Sequence, residues 1–411
     1  MPEPRRLYDT VLHAARDLVT VGTALEAELT GAALLGGVYA VSPPPRADAL
    51  RTFVSGFLGA TARRRTPAAR ATRAVFASLV PEADGAVAVP PAPAPWSAHL
   101  GRVRPVGTWA YGDVYGDQTG YVASFAYDDP SVGGPDHAVV VLVDHNLGVV
   151  KDLVVSRPAD RVLAGLTAAA EADDLIWFRD VDPATFRSRV SFHLGLTDSL
   201  TLLPDGGALA TDRALVGSRL ATLPPADPAP AEVDPLDPDR AEAQFLDSPQ
   251  AVRLERATPA GEAAVRYAVR LILEFTQDSP DRDPVRWSPA VVGLFLLDWV
   301  HRRAVLDEED VATLPVVLRA WTAWAAERRG LPPVALRATG EAIDTMVPEF
   351  LRRHRTGGTR GEAAVPVGRP PAGGVDPDGG GRAGVVPGDD AAVRDRLTAR
   401  RRGAGDVPRP R

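Results

Sequence analysis

The sequence predicts an α+β fold: a small antiparallel β-meander packed with helices, flanked by N-terminal and C-terminal all-helical domains and ending in a disordered tail. Three observations predict it. Apolar residues recur every three or four positions over residues 6–80 and again over 259–354, the period of a helix with one buried face. Between them, residues 104–155 are rich in Val, Tyr, Phe and Trp and change to a period of two, as pleated strands do. Proline-rich stretches separate the three regions. At 411 residues the chain is long enough for two or three globular units. The expected division is 1–85 (helical), 86–96 (Pro-rich linker), 97–222 (α+β), 223–240 (Pro/Asp-rich linker), 241–355 (helical) and 356–411 (disordered tail).

In the first unit, Leu7, Val11, Ala14, Ala15 and Leu18 form one apolar stripe, and further helices are expected over 23–38, 47–60 and 67–79. Arg63, Arg64, Arg65, Arg70 and Arg73 make the last junction basic, which reads as a solvated helix face. Strands are expected at 104–112, 118–127, 137–144 and 149–155. Val139–Val143 is apolar throughout, so that strand should be covered on both faces. The connections are hairpin-sized, which makes the sheet an antiparallel meander. A helix should follow, with Ser156 as its cap, Pro158 in its first turn, and Leu163 and Leu166 facing the sheet. A further strand is expected at 175–178. Asp182-Pro183 then opens a helix carrying Phe186, Val190 and Leu194 inward, and the helices are placed on one side of the sheet. In the last unit, helices are expected over 259–277, 288–305, 314–329 and 333–354 around Trp287, Trp299, Trp321 and Trp324. The tail lacks aromatics and is rich in Gly, Pro, Asp and Arg; the one element expected in it is a short basic helix around 391–402.

Composition excludes several chemistries. With no cysteine there is no disulfide, no thiolate metal site and no cysteine nucleophile. Charged residues interrupt the N-terminal apolar stripe, and the apolar runs at 32–41 and 291–297 fall short of the ~20 residues of a membrane span. The expectation is a soluble, cytoplasmic chain with no membrane contact. Of 46 basic residues, only Lys151 is lysine, and Asn146 is the only asparagine; this is the signature of a GC-rich coding sequence, so abundant Arg says little about nucleic acid. GxxxxGK[ST], GxSxG, HExxH and SxxK are all missing.

One group of residues stands out. In a meander, alternate turns share an end of the sheet, so the 113–117 and 145–148 turns should be neighbours. That end gathers Asp113, Asp117, Asp144 and His145, with Lys151 one cross-strand step from Asp144. Residues 97–205 hold eight basic side chains against fifteen acidic ones, a net of −7. Asp113, Asp117, Asp144 and His145 are the candidate ligands of a divalent metal, the one cofactor such a donor set suggests. Asp117, Asp144, His145 and Lys151 are the candidate catalytic residues of a metal-dependent hydrolase. Asp-His-Asn-Leu-Gly is equally good turn chemistry, since Asn and Gly tolerate positive φ and Asp makes Asx turns. His137 lies at the far end of its strand, about 25 Å from His145 at ~3.3 Å per residue.

The segments Tyr115-Gly-Asp-Gln118, His137 through Gly148, and Leu297-Asp-Trp299 through Trp321 resemble an uncharacterised hypothetical-protein family of high-GC actinomycetes, over most of residues 7–355. That resemblance carries the domain reading and no activity. The function expected first is that of a non-catalytic interaction protein with an unidentified protein partner; oligomeric state is not legible. A metal-dependent hydrolase is the alternative. Nucleic-acid association would have to use the N-terminal or tail arginines, because the acidic central unit repels phosphate.

Overall fold

The computed structural model describes residues 4–83, 92, 94–204, 208–225, 236–257 and 261–357. The tail from 358, its expected basic helix, and most of both Pro-rich linkers lie outside the described residues. Helices α1 (Pro4–Ala14), α2 (Ala24–Val41), α3 (Arg46–Thr61) and α4 (Pro67–Leu79) precede strands β1 (Val103–Asp113) and β2 (Gln118–Tyr127). The one-turn helix α5 (Pro130–Gly133) leads to β3 (His137–Asp144) and β4 (Val149–Ser156). Then come α6 (Ala159–Ala172), β5 (Ile176–Asp180), α7 (Pro183–Asp198) and α8 (Leu209–Ala221). The last block holds α9 (Pro238–Leu246), α10 (Pro249–Ala257), α11 (Glu262–Asp278), α12 (Pro289–Gly293), α13 (Val300–Arg303), α14 (Glu308–Arg328) and α15 (Pro333–Gly357). The Leu294–Trp299 segment joins α12 to α13 as a π-helix, so 289–303 is one rod with a widened middle.

Local chemistry sets the helix starts. The Thr66 hydroxyl accepts from the Ala69 N–H, the Asp182 carboxylate from Thr185, and the Ser288 hydroxyl from Val291, each with Pro at the next position. Asp307 and Asp310 cap each other's backbone at the start of α14. Ser156, expected to cap α6, instead ends β4; the cap position is Pro158, whose ring has no hydrogen-bonding group to offer. The first apolar stripe also divides, because the helical turn tightens after Ala14 and Arg16–Thr20 is 3-10.

The sheet is antiparallel throughout, in the order β4-β3-β2-β1-β5. Its four-strand meander is the predicted one, and β5 returns to pair with β1. Strand alternation splits the apolar residues between two layers. Tyr121, Ala123, Phe125, Val139, Val141 and Val143 face α7 and α8, and pack with Phe186, Val190, Leu194 and Leu215's neighbour Val216. Trp109, Tyr111, Val122, Ala138 and Val140 face α6, through Val162, Leu163 and Leu166. Helices therefore cover both faces, not one. The one-sided placement fails because the β4-to-β5 connection has to cross the sheet from one edge to the other, and α6 crosses on the face that α7 and α8 leave open.

Helix α8 lay in no predicted element. It packs along α2 and joins the N-terminal helices to the sheet: Val11, Leu25, Phe57, Phe76, Trp96, Tyr127 and Leu215 belong to one cluster. At its centre the Arg219 guanidinium pairs with Glu28, both 1% exposed at the side chain. Arg219 also donates to the Tyr127 hydroxyl at 2.8 Å and to His137 Nε2 at 3.0 Å, while Tyr127 donates to Glu28 at 2.6 Å. Arginine only donates, so Nε2 of His137 is the unprotonated nitrogen. Burial first, then the Arg219 charge, lowers the His137 pKa to about 3. The described residues of the last block keep a separate core, in which Trp287, Trp299, Trp321 and Trp324 pack with Phe245, Phe275, Phe295 and Phe350.

Helix α2 is the one described helix long and apolar enough, by length and composition, to cross a membrane; half of that window is buried inside the fold. Fully buried Glu28 sits in it, paired as above.

Candidate functional site

The first and third bends of the meander do lie together. Gln118 pairs with Asp144 across β2 and β3, and the His145 N–H donates to the Asp117 carbonyl at 2.8 Å. Gly116 (φ 81°) and Gly148 (φ 73°) take the left-handed backbone that closes each bend.

Each acidic side chain at this rim has a defined partner. Asp113 folds over its own turn, accepting from the N–H groups of Asp117 (3.1 Å) and Gln118 (2.8 Å). Asp144 makes the Asx turn that its neighbours allow, accepting from the N–H groups of Asn146 (3.0 Å) and Leu147 (3.2 Å). Lys151 reaches Asp144 at 3.6 Å, helped by a register shift between Leu142 and Val143 that puts Lys151 in a bulge. His145 Nε2 sits 2.9 Å from the Thr119 hydroxyl, and its ring packs edge-on to His193, whose Nδ1 lies 3.1 Å from the Gly148 carbonyl. Burial first, then His193 and Arg286, lowers the His145 pKa to about 4.

Asp117 finds its partner elsewhere: it points out of its bend and into the C-terminal helical block. Arg286 Nη1 lies 2.9 Å from Asp117 and 2.8 Å from the side-chain oxygen of Asn146. Arg286 is itself held by Asp281, and its side chain is 7% exposed. The loop that presents it is tightly fixed. The Trp287 and Trp321 indoles both donate to the Pro284 carbonyl at 3.0 Å, and Asp283 accepts from the Val285 N–H at 3.0 Å. A second contact runs beside the first: Arg329 donates to the Tyr115 carbonyl at 2.6 Å, and the Tyr115 hydroxyl donates to the Ala335 carbonyl at 3.1 Å. Burial raises the Asp117 pKa despite Arg286 and the Ser288 hydroxyl, which lower it. A cavity of about 150 Å³ remains beside this seam, bordered by Asn146, Ser279, Arg286 and Trp299.

The structure thus brings Asp117, Asp144, His145 and Lys151 to one rim, where Asp144 and Lys151 pair with each other while Asp117 turns to Arg286 and His145 to Thr119. Among the described residues no three His, Asp or Glu side chains converge as a metal would require. Sequence reasoning missed Arg286, Arg329 and Ser288. Arg286 is 169 positions from Asp117, and no periodicity or spacing connects them. The N-terminal arginines are partly structural as well: Arg64 pairs with Asp9, and Arg73 donates to the carbonyls of Thr61 (2.5 Å) and Arg64 (3.0 Å). In comparisons with family models, curated proteins and solved structures, nothing matches the chain.

Proposed function

We propose that this chain is a non-catalytic, cytoplasmic interaction protein of two bodies, residues 4–225 and 236–357, in which the acidic rim seats the C-terminal helical body. One observation carries the reading: Asp117, the rim carboxylate best placed to act on a substrate, holds Arg286 and shares it with the chain's one asparagine. The remaining carboxylates stabilise turns. A hydrolytic site needs a carboxylate free to bind metal or take a proton, with room for substrate beside it. Here Asp117 accepts in a contact between the two bodies, and Asp113 and Asp144 accept from the N–H groups of their own turns. The chain's one asparagine, Asn146, belongs to that contact through Arg286, and its one lysine, Lys151, pairs with Asp144 within the sheet.

A melting scan of the full chain with Mn²⁺, Zn²⁺ and Ca²⁺ tests this against the hydrolase. An ion held by the folded state alone at ~100 Kd stabilises by about 2.7 kcal/mol, an unmistakable upward shift. The expected result is no shift with any of the three. A shift that Asp117→Asn and Asp144→Asn abolish would establish the metal site and overturn the reading.

A further inference from the structure

The two edges of the sheet are finished differently. At β4, side chains from the covering helices satisfy outward backbone groups: the Val150 N–H donates to the Thr197 hydroxyl and the Val155 N–H to Asp212, both at 2.9 Å. At β5 the ladder itself shows which groups point out. Val114 N–H bonds the Leu175 carbonyl and Val181 N–H the Thr108 carbonyl, so the bonded positions of this strand are 175, 177, 179 and 181. Ile176, Phe178 and Asp180 therefore direct their N–H and C=O groups away from the sheet. The Ile176 N–H turns back to the Asp173 carbonyl, at 3.0 Å, which confirms the direction. No side chain among the described residues is seen to cap Phe178 or Asp180 as Thr197 and Asp212 cap β4. An uncovered edge is a template for another strand.

We propose that β5 is a homodimer interface, joining the sheets of two copies antiparallel about a two-fold axis at Phe178. The strand is self-complementary in that register. Phe178 faces Phe178 of the second copy and the two exchange both backbone bonds; the Asp180 N–H meets the Ile176 carbonyl. Trp177 falls opposite Arg179, repeating across the strands the contact Arg179 already makes within one, where its guanidinium lies 4.4 Å from the indole centroid. No like charges face each other within Ile176–Asp180. They do so only beyond the strand ends, where Asp174 faces Asp182, so this dimer tightens as salt screens that repulsion. A two-fold closed interface consumes the β5 edge of both copies and leaves outermost only the β4 edges, where Thr197 and Asp212 cap backbone N–H groups. This inference does not rest on the rim, which is a separate surface.

Light scattering after size exclusion, with sedimentation equilibrium, on the full chain from about 1 to 100 µM tests it. The expected mass is twice that of one chain, with a dissociation constant that falls between about 0.05 and 0.5 M salt. Asp180→Pro removes only an outward N–H and should weaken association at least about tenfold, whereas Asp180→Ala keeps the N–H and should leave it intact. Arg179→Glu, on an exposed side chain, provides a second variant that keeps the backbone and should weaken association comparably. A single-chain mass across the range overturns the proposal, as does a dimer that survives both Asp180→Pro and Arg179→Glu. Seam variants such as Asp117→Asn should leave the mass unchanged, so failure here and failure of the rim reading are separable.

Discussion

At the scale of the residue, burial decides what the histidines do. His137 and His145 are held neutral at pKa values of about 3 and 4, against an ordinary 6.5 in the unfolded chain. Between those limits the unfolded state binds more protons, so stability is fully present above pH 6.5 and declines as pH falls toward 4 and 3. Asp117 acts in the opposite sense: its raised pKa means that the folded state takes up its proton first, which offsets part of the loss at the acid end. Urea midpoints against pH should therefore fall below pH 6.5, and His145→Gln, which keeps a partner for Thr119, should flatten that slope. A midpoint independent of pH from 7 to 4 would contradict this account of the two imidazoles.

The secondary elements show how far local chemistry reaches. Strand starts and stops, the Asp182 cap and the tryptophan core were legible because each follows from a period or a turn residue within a few positions. The α6 face was not, since which side a crossover takes depends on what already occupies the other side. Helix α8 was missed for a related reason: its inward face carries Arg219, a residue that reads as solvent-facing until Glu28, Tyr127 and His137 surround it. Removing one partner of a buried pair typically costs ~3–5 kcal/mol, so Arg219→Ala should lower the stability of the body built from α1–α8 by about that much. Asp182→Ala should cost only about 1 kcal/mol, the loss of one cap. Both are measurable by denaturant unfolding followed at the aromatic residues.

Across the whole molecule, the apolar clusters of residues 4–225 and the separate core of α9–α15 meet at a polar seam. The core of α9–α15 contains no described residue from 4–225, and the contacts between the bodies pass through Asp117, Asn146, Tyr115, Arg286, Arg329 and Ala335. Calorimetry should accordingly resolve two transitions, and Arg219→Ala should move only the one belonging to residues 4–225. The sequence placed the rim correctly as a gathering of bends and acids. What it could not supply was the occupant of the rim, because an arginine 169 positions away leaves no local mark.

The most direct test of the seam is a double-mutant cycle on Asp117→Asn and Arg286→Gln, read as the summed free energies of the two urea unfolding transitions of the full chain. If the rim seats the helical body, the two changes are coupled by about 1–3 kcal/mol. Effects that simply add, to within ~0.5 kcal/mol, would mean that Asp117 does not hold Arg286 and that the rim serves some other purpose.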